Sequence, residues 1–149
     1  MSYIENNLME GESLIYRAHL HWIIFVWPVF FFIIAVICFS GGKDAAPVGV
    51  IFIMIAMIAG LVSLIKHKTS EFGVTNKRVI VKVGFISRNS LEVLLNKVEG
   101  IQVDQGIIGR ILGYGSITVS GTGGTKDPFK KISGPIEFRK KVQEQIAKP

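Results

Sequence analysis

Cysteine occurs once, as Cys38, and residues 69–149 contain neither cysteine nor histidine. A single thiol closes no intrachain disulfide, and without Cys or His the common nucleophile–base pairs have no members in that stretch. Carboxylates paired at a useful spacing are lacking, as is a Gly-x-Ser-x-Gly elbow. An enzyme is not expected, nor is a small-molecule substrate or a cofactor. The histidines are His19, His21 and His67. His19 and His21 stand two apart with no thiol or carboxylate placed beside them, so no metal is expected. The run Gly121-Thr122-Gly123-Gly124-Thr125-Lys126 departs from a phosphate loop, whose lysine follows glycine directly and precedes Ser or Thr. It reads as a hairpin loop.

Charge is the next absence, and it is local. Trp22–Phe39 and Val48–Ile65 hold no charged residue over 18 positions each. About 20 helical residues cross about 30 Å of hydrocarbon, so both runs are transmembrane candidates. The 13 Ile, Phe and Val residues of the first run sum to about −4 to −8 kcal/mol of insertion free energy. A cleaved signal peptide fits less well. Some 20 residues carrying Glu5, Glu10 and Glu12 precede the run, and the second run would still anchor the product. Cys38 then sits in the first span as a small apolar residue.

Topology follows from the flanks. The connection Ser40–Pro47 is short, turn-like and electrically neutral, whereas Lys66, His67, Lys68, Lys77, Arg78 and Lys82 follow the second run. Positive residues stay on the cytoplasmic side, which places both termini there in a multi-pass protein of the cell membrane. Trp22 and Trp27 are interfacial anchors near the inner end of the first span. Pro28 is a candidate kink. Ala56 and Gly60 stand four apart, as do Ala59 and Ser63, and small residues at that spacing let helices pack closely, within the hairpin or between protomers. The expected division is a cytoplasmic segment 1–19, a helical hairpin 20–65 with spans near 22–39 and 48–65, and a cytoplasmic domain 69–149.

In that domain the apolar period becomes two. Phe72 and Val74 alternate, then Val79, Val81 and Val83, then Leu91, Val93 and Leu95, then Ile101 with Val103 and Ile117 with Val119. Alternation with Thr75-Asn76-Lys77, Gly84 and Gly121–Gly124 as punctuation predicts six or so short strands. Ile107, Ile108, Ile111 and Leu112 predict one short apolar helical turn between Gly106 and Gly113. Gly134-Pro135 opens a C-terminal helix, with Glu137 in its first turn and Phe138, Val142 and Ile146 as its apolar stripe.

Several of these runs resemble one known family. Thr75-Asn76-Lys77-Arg78-Val79-Ile80 with Gly84-Phe85-Ile86 is similar to a hairpin signature of the bacterial membrane-anchored pleckstrin-homology-like proteins. Asn96–Ile101, Gly109–Gly115, Gly11-Glu12 and Arg17–Trp22 match further signatures in the same order. The resemblance implies a membrane α-helical hairpin followed by an α+β pleckstrin-homology-like unit, a small β-barrel or curled sheet with a C-terminal helix. It implies little about activity.

Residues 69–149 carry 13 Lys and Arg against 7 Asp and Glu, a net of +6, while residues 1–68 carry 4 of each. The expected partners are anionic inner-leaflet lipids, with Lys66, Lys68, Lys77 and Arg78 as headgroup contacts worth about 1 kcal/mol apiece near the surface. Pleckstrin-homology domains that read phosphoinositides carry several cations in the first hairpin, and Lys77-Arg78 matches that only partly. Five residues between Ile65 and Glu71 reach at most roughly 17 Å, which holds the domain at the headgroup layer. Nucleic acid is not expected, because Phe72, Phe85 and Phe129 have apolar strand neighbours and no recognition helix stands beside them. Two spans without an intramembrane charge give no ion pathway. The expected role is a non-enzymatic scaffold that associates with itself or with another membrane protein. The alternative is an anionic-lipid sensor oriented by headgroup contacts.

Overall fold

The computed structural model describes residues 3–84, 89–121 and 128–148. Phe85-Ile86 of the hairpin signature and the glycine-rich run after Gly121 lie outside them. Two compact units result, one of residues 1–21 with 69–149 and one of residues 22–68.

The second unit is a helical hairpin. A 3-10 turn, Trp22–Phe25, leads into α2 (Val26–Ser40), and α3 runs over Ala46–Thr69. The continuous stretches Trp22–Ser40 and Ala46–Thr69 are both long and apolar enough to cross a membrane. Their outward side chains are large and apolar, with Met57 69% exposed and Ile37 64%. Small residues line the contact: Ala35, Gly49 and Ala56 are buried. A Cβ on Gly49 would stand 3.3 Å from the Ala35 carbonyl oxygen, and one on Gly60 would stand 3.9 Å from Pro28 Cβ. Ser63 Oγ donates to the Ile24 carbonyl at 3.2 Å. Ala56, Gly60 and Ser63 thus share one helix face toward the first helix. Of the two glycines that meet the first helix, Gly49 makes the closer approach, and the four-residue spacing of small residues does not include it.

Among the described residues the first unit holds seven strands: β1 (Leu14–His19), β2 (Glu71–Thr75), β3 (Arg78–Val83), β4 (Asn89–Leu94), β5 (Val98–Asp104), β6 (Tyr114–Gly121) and β7 (Pro128–Ser133). Its helices are α1 (Tyr3–Asn6), α4 (Ile107–Leu112) and α5 (Pro135–Ile146), with a 3-10 turn at Leu95–Lys97. These strands pair antiparallel, in sheets ordered β1-β2-β3-β4 and β5-β6-β7.

Three expectations change here. The N-terminal residues are not a separate segment: β1 pairs with β2, Ala18 opposite Phe72 and His19 opposite Glu71. The apolar hairpin is therefore an insertion between two paired strands. Nor is a closed barrel formed. Among the described residues no ladder joins β4 to β5, because the turn at Leu95–Lys97 separates them, and the two sheets are bridged only at Leu20–Ile132. Finally, α3 continues to Thr69, so Ser70 alone lies between it and β2.

Period-two alternation puts Phe72, Val74, Val79, Val81, Ile117 and Val119 into one core, which Ile132 joins from β7. Phe72 meets Phe129 of the second sheet edge-on at 6.1 Å. Helix α5 closes this core with Phe138 and Val142, both fully buried, and Gln145 continues the stripe. Ile146 is 45% exposed. At 100° per residue, seven steps from Phe138 return closer to the same face than eight do.

The opposite face of β2 and β3 is covered too. Residues 3–13 cross it as a strap, with the Ile4 side chain fully buried over Gly73. A Cβ on Gly73 would lie 2.7 Å from Ile4 Cδ1, so any larger residue there would displace the Ile4 side chain from its seat. The Glu71 carboxylate accepts the Tyr3 and Ile4 amides at 3.1 and 3.2 Å, which caps α1. Lys82 Nζ stands 3.9 Å above the Tyr3 ring.

Candidate functional site

The four expected lipid-contact residues have different fates. Lys66 and Lys68 are exposed in the last turn of α3. Lys77 is exposed at the β2–β3 turn, but its Nζ donates to the Glu10 carbonyl at 2.7 Å. Arg78 is only 6% exposed, and its guanidinium is engaged inside the domain.

A closed network holds it. Arg78 Nε and Nη2 fork onto the Glu12 carboxylate at 2.9 and 3.0 Å, Nη2 also reaches the Asn7 carbonyl at 2.7 Å, and Nη1 pairs with Glu92. Glu12 is buried and accepts the Met9 amide at 2.8 Å; Thr75 Oγ1 lies 2.7 Å from its Oε1. Asn76 completes the seam, its Oδ1 accepting from the Ser13 amide at 2.9 Å and its Nδ2 donating to the Gly11 carbonyl at 3.1 Å. Gly11-Glu12 and Thr75–Arg78, two separate signatures in the sequence, are thus the halves of one clasp. Spacing could not reveal it, because the halves stand more than 60 residues apart.

Burial alone would raise the Glu12 carboxyl. The hydrogen bonds from Arg78, Met9 and Thr75, with the Arg78 charge, outweigh it and hold the group below the ordinary carboxylate value. A depressed folded-state value means stability that is fully present above the unfolded pKa and lost as pH falls through the folded one. Glu12's contribution to the first unit's stability is therefore expected to be fully present from neutrality down to about pH 4.5, the ordinary value for this group, and to be lost as pH falls further. Pulse proteolysis of the full chain in mild detergent across that range measures the slope. Glu12→Gln is expected to flatten it, and an equally steep slope in that variant would reject Glu12 as its source.

The interfacial candidates Trp22 and Trp27 are both more than half exposed, and Trp27 packs on Phe30 and Phe31 at about 6 Å. Among the described residues, no cluster of His, Cys, Asp and Glu could hold a metal ion.

A surface that the sequence reading passed over stands on α4. Its glycine points inward and its isoleucines outward. A Cβ on Gly109 would lie 2.6 Å from the Tyr114 carbonyl oxygen, so the helix seats on its bare backbone. Gln105 Nε2 buttresses the seat by donating to the same oxygen at 3.0 Å. Ile107, Ile108 and Ile111 are left 84%, 63% and 78% exposed. Beside them lies a cleft of about 490 Å³ whose lining includes Arg110, Lys140 and Lys141, with Glu137 as its one carboxylate. Lys141 also pairs with Glu144 at 3.0 Å. The apolar spacing announces a helix face but not the side it turns to; Gly109 in its middle was the available sign.

Nothing among curated proteins or solved structures matches the chain. A family match does cover most of it, residues 28–146, from within the first apolar helix to the end of α5. On that match the chain belongs to the bacterial PH domain family.

Proposed function

We propose that this protein is a non-enzymatic scaffold: a PH-like interaction module fastened to the cell membrane by its hairpin, and a subunit of a homo- or hetero-oligomeric membrane complex. One observation carries the reading. The hairpin is inserted between β1 and β2, which pair with each other. An even number of crossings returns the chain to the side it left, and pairing across the insertion requires that return. With Lys66 and Lys68 at the inner end of α3, the positive-inside rule makes that side cytoplasmic for both termini. The exposed Ile, Phe, Met and Val side chains of α2 and α3 support the spanning role, since water would be a poor solvent for so many of them.

Membership in the PH domain family supports a protein- or lipid-binding role. A scaffold fits better than a lipid reader of the first-hairpin kind, because Arg78 is committed to Glu12 and Glu92. Adding the strap's three glutamates and Arg17 to the +6 of residues 69–149 leaves the folded unit at +4. Lys66 and Lys68 remain exposed and favour orientation on anionic lipid as a secondary property.

Native mass spectrometry of the chain extracted in mild detergent tests the scaffold. Several copies, or a stoichiometric membrane-protein companion, is the expected result. A lone monomer would remove the scaffold reading. Recovery of the chain in the aqueous fraction after lysis would remove the anchor.

A further inference from the structure

We propose that α4 is a second, shallow membrane contact: Ile107, Ile108 and Ile111 enter the boundary between headgroups and acyl chains, while Arg110, Lys140 and Lys141 hold lipid phosphates in the adjoining cleft. The proposal rests on the membrane-anchored reading above and adds to it a site for lipid on the domain itself.

Three observations choose lipid as the occupant. The first is the inverted packing of α4. A helix that served the core would bury its isoleucines, yet this one buries Gly109 and presents the isoleucines outward. The second is charge. An apolar tip rimmed by cations is the pattern of a segment lying in the membrane interface, where the chain boundary takes the apolar groups and anionic headgroups take the basic ones. The third is position along the chain. Tyr114, whose carbonyl seats Gly109, packs its ring on His21 with centroids 5.2 Å apart, and the His21 amide donates to the Lys131 carbonyl at 2.7 Å. His21 is the last residue of the first unit before the hairpin begins at Trp22. Helix α4 therefore occupies the end of the domain from which the chain departs toward its anchor. Tethering at that end raises the effective lipid concentration at α4, so three isoleucines suffice where a free domain would need more.

The contact differs from the one expected at Lys66, Lys68, Lys77 and Arg78, since it lies on α4 and α5 and is apolar at its centre.

Depth-dependent quenching tests it on the full chain in nanodiscs containing anionic lipid. In a Cys38→Ala background, an environment-sensitive fluorophore is attached to Ile108→Cys, Ile111→Cys, Glu99→Cys or Met57→Cys. Glu99 is exposed near the other end of β5, roughly 17 Å from Asp104 at 3.3 Å per residue. Met57 reports on the hairpin alone. The expected result is a blue-shifted emission at positions 108 and 111, with a roughly twofold or greater loss to a lipid quencher at the shallow acyl position, the depth reached by interfacial segments. Glu99 is expected to stay unquenched and Met57 to be quenched by a deep acyl label. Quenching at Met57 without quenching at 108 and 111 overturns the α4 contact and leaves the anchor standing. A blue shift at 108 that ignores lipid quenchers and tracks the number of copies per disc also overturns it, by placing a second protein on α4. An unquenched Met57 overturns the anchored reading and this proposal with it. Replacing Arg110 and Lys140 by Gln is expected to reduce the quenching at 108, whereas Lys97→Gln is expected to leave it unchanged.

Discussion

Arg78→Met is expected to destabilise the first unit by about 3–5 kcal/mol, the range for breaking a buried ion pair from one side. The size comes from what remains, not from the attraction lost. Glu12, buried and wholly inside the clasp, would keep its charge with no cation beside it, and the Asn7 carbonyl would lose its donor. The strap would then be held by Ile4 over Gly73, the Glu71 cap on α1, the Asn76 bonds to Gly11 and Ser13 and the Lys77 bond to Glu10. Pulse proteolysis of the full chain in mild detergent with increasing urea reads the loss, and early cleavage within residues 3–13 is its expected signature. Adding Glu12→Gln should restore part of the stability, because the uncompensated charge is gone while the shape is nearly kept. Arg78→Lys should fall between, since an ammonium retains charge but not the bidentate fork. A loss below about 1 kcal/mol in Arg78→Met would place the clasp among exposed ion pairs of little consequence and reject the account. Because Arg78 is internal, the variant's lipid binding should change only as far as its folding does.

The clasp also shows where reading the sequence stops. Strands β2 to β6 and both helices α4 and α5 were legible, because each carries its own period and its own punctuation within a dozen residues. Leu14, Tyr16 and Ala18 alternate as well, but the short run precedes an apolar segment and its partner β2 lies beyond the entire hairpin. Local pattern cannot report a pairing across such an insertion. Strand β7 was hidden for another reason. Lys131 sits at φ 62°, and the register with β6 shifts between Gly115 and Ile117, so Phe129 and Ile132 stand three apart rather than two. A sequence displays the charge of Arg78 and not its burial; its carboxylates, Glu12 and Glu92, come from 66 positions before it and 14 after. Exposure was equally invisible for α4, where the same spacing would suit a core helix and a membrane contact.

Phe138→Ala carries the other large expectation, a loss of about 3–5 kcal/mol from the cavity it would leave under α5. Phe138 is fully buried and meets Tyr16 of β1 edge-on with ring centroids 6.3 Å apart, while the Tyr16 hydroxyl stands 3.5 Å from Glu137 Oε2. That contact joins the strand before the apolar hairpin to the last helix after it. Opening it therefore loosens the closure that returns the chain to one side of its insertion, as well as the core itself. Both tryptophans lie in the hairpin, so their fluorescence is blind to this event. Amide hydrogen exchange in mild detergent is the suitable measurement, with protection expected to fall in β1, β2 and α5 while α2 and α3 keep theirs. Phe138→Leu should lose less, since it refills much of the volume. Unchanged protection in β1 alongside a loosened α5 would show that the helix is an appendage to the sheet, and the two flanks of the hairpin would then be joined by the β1–β2 ladder alone.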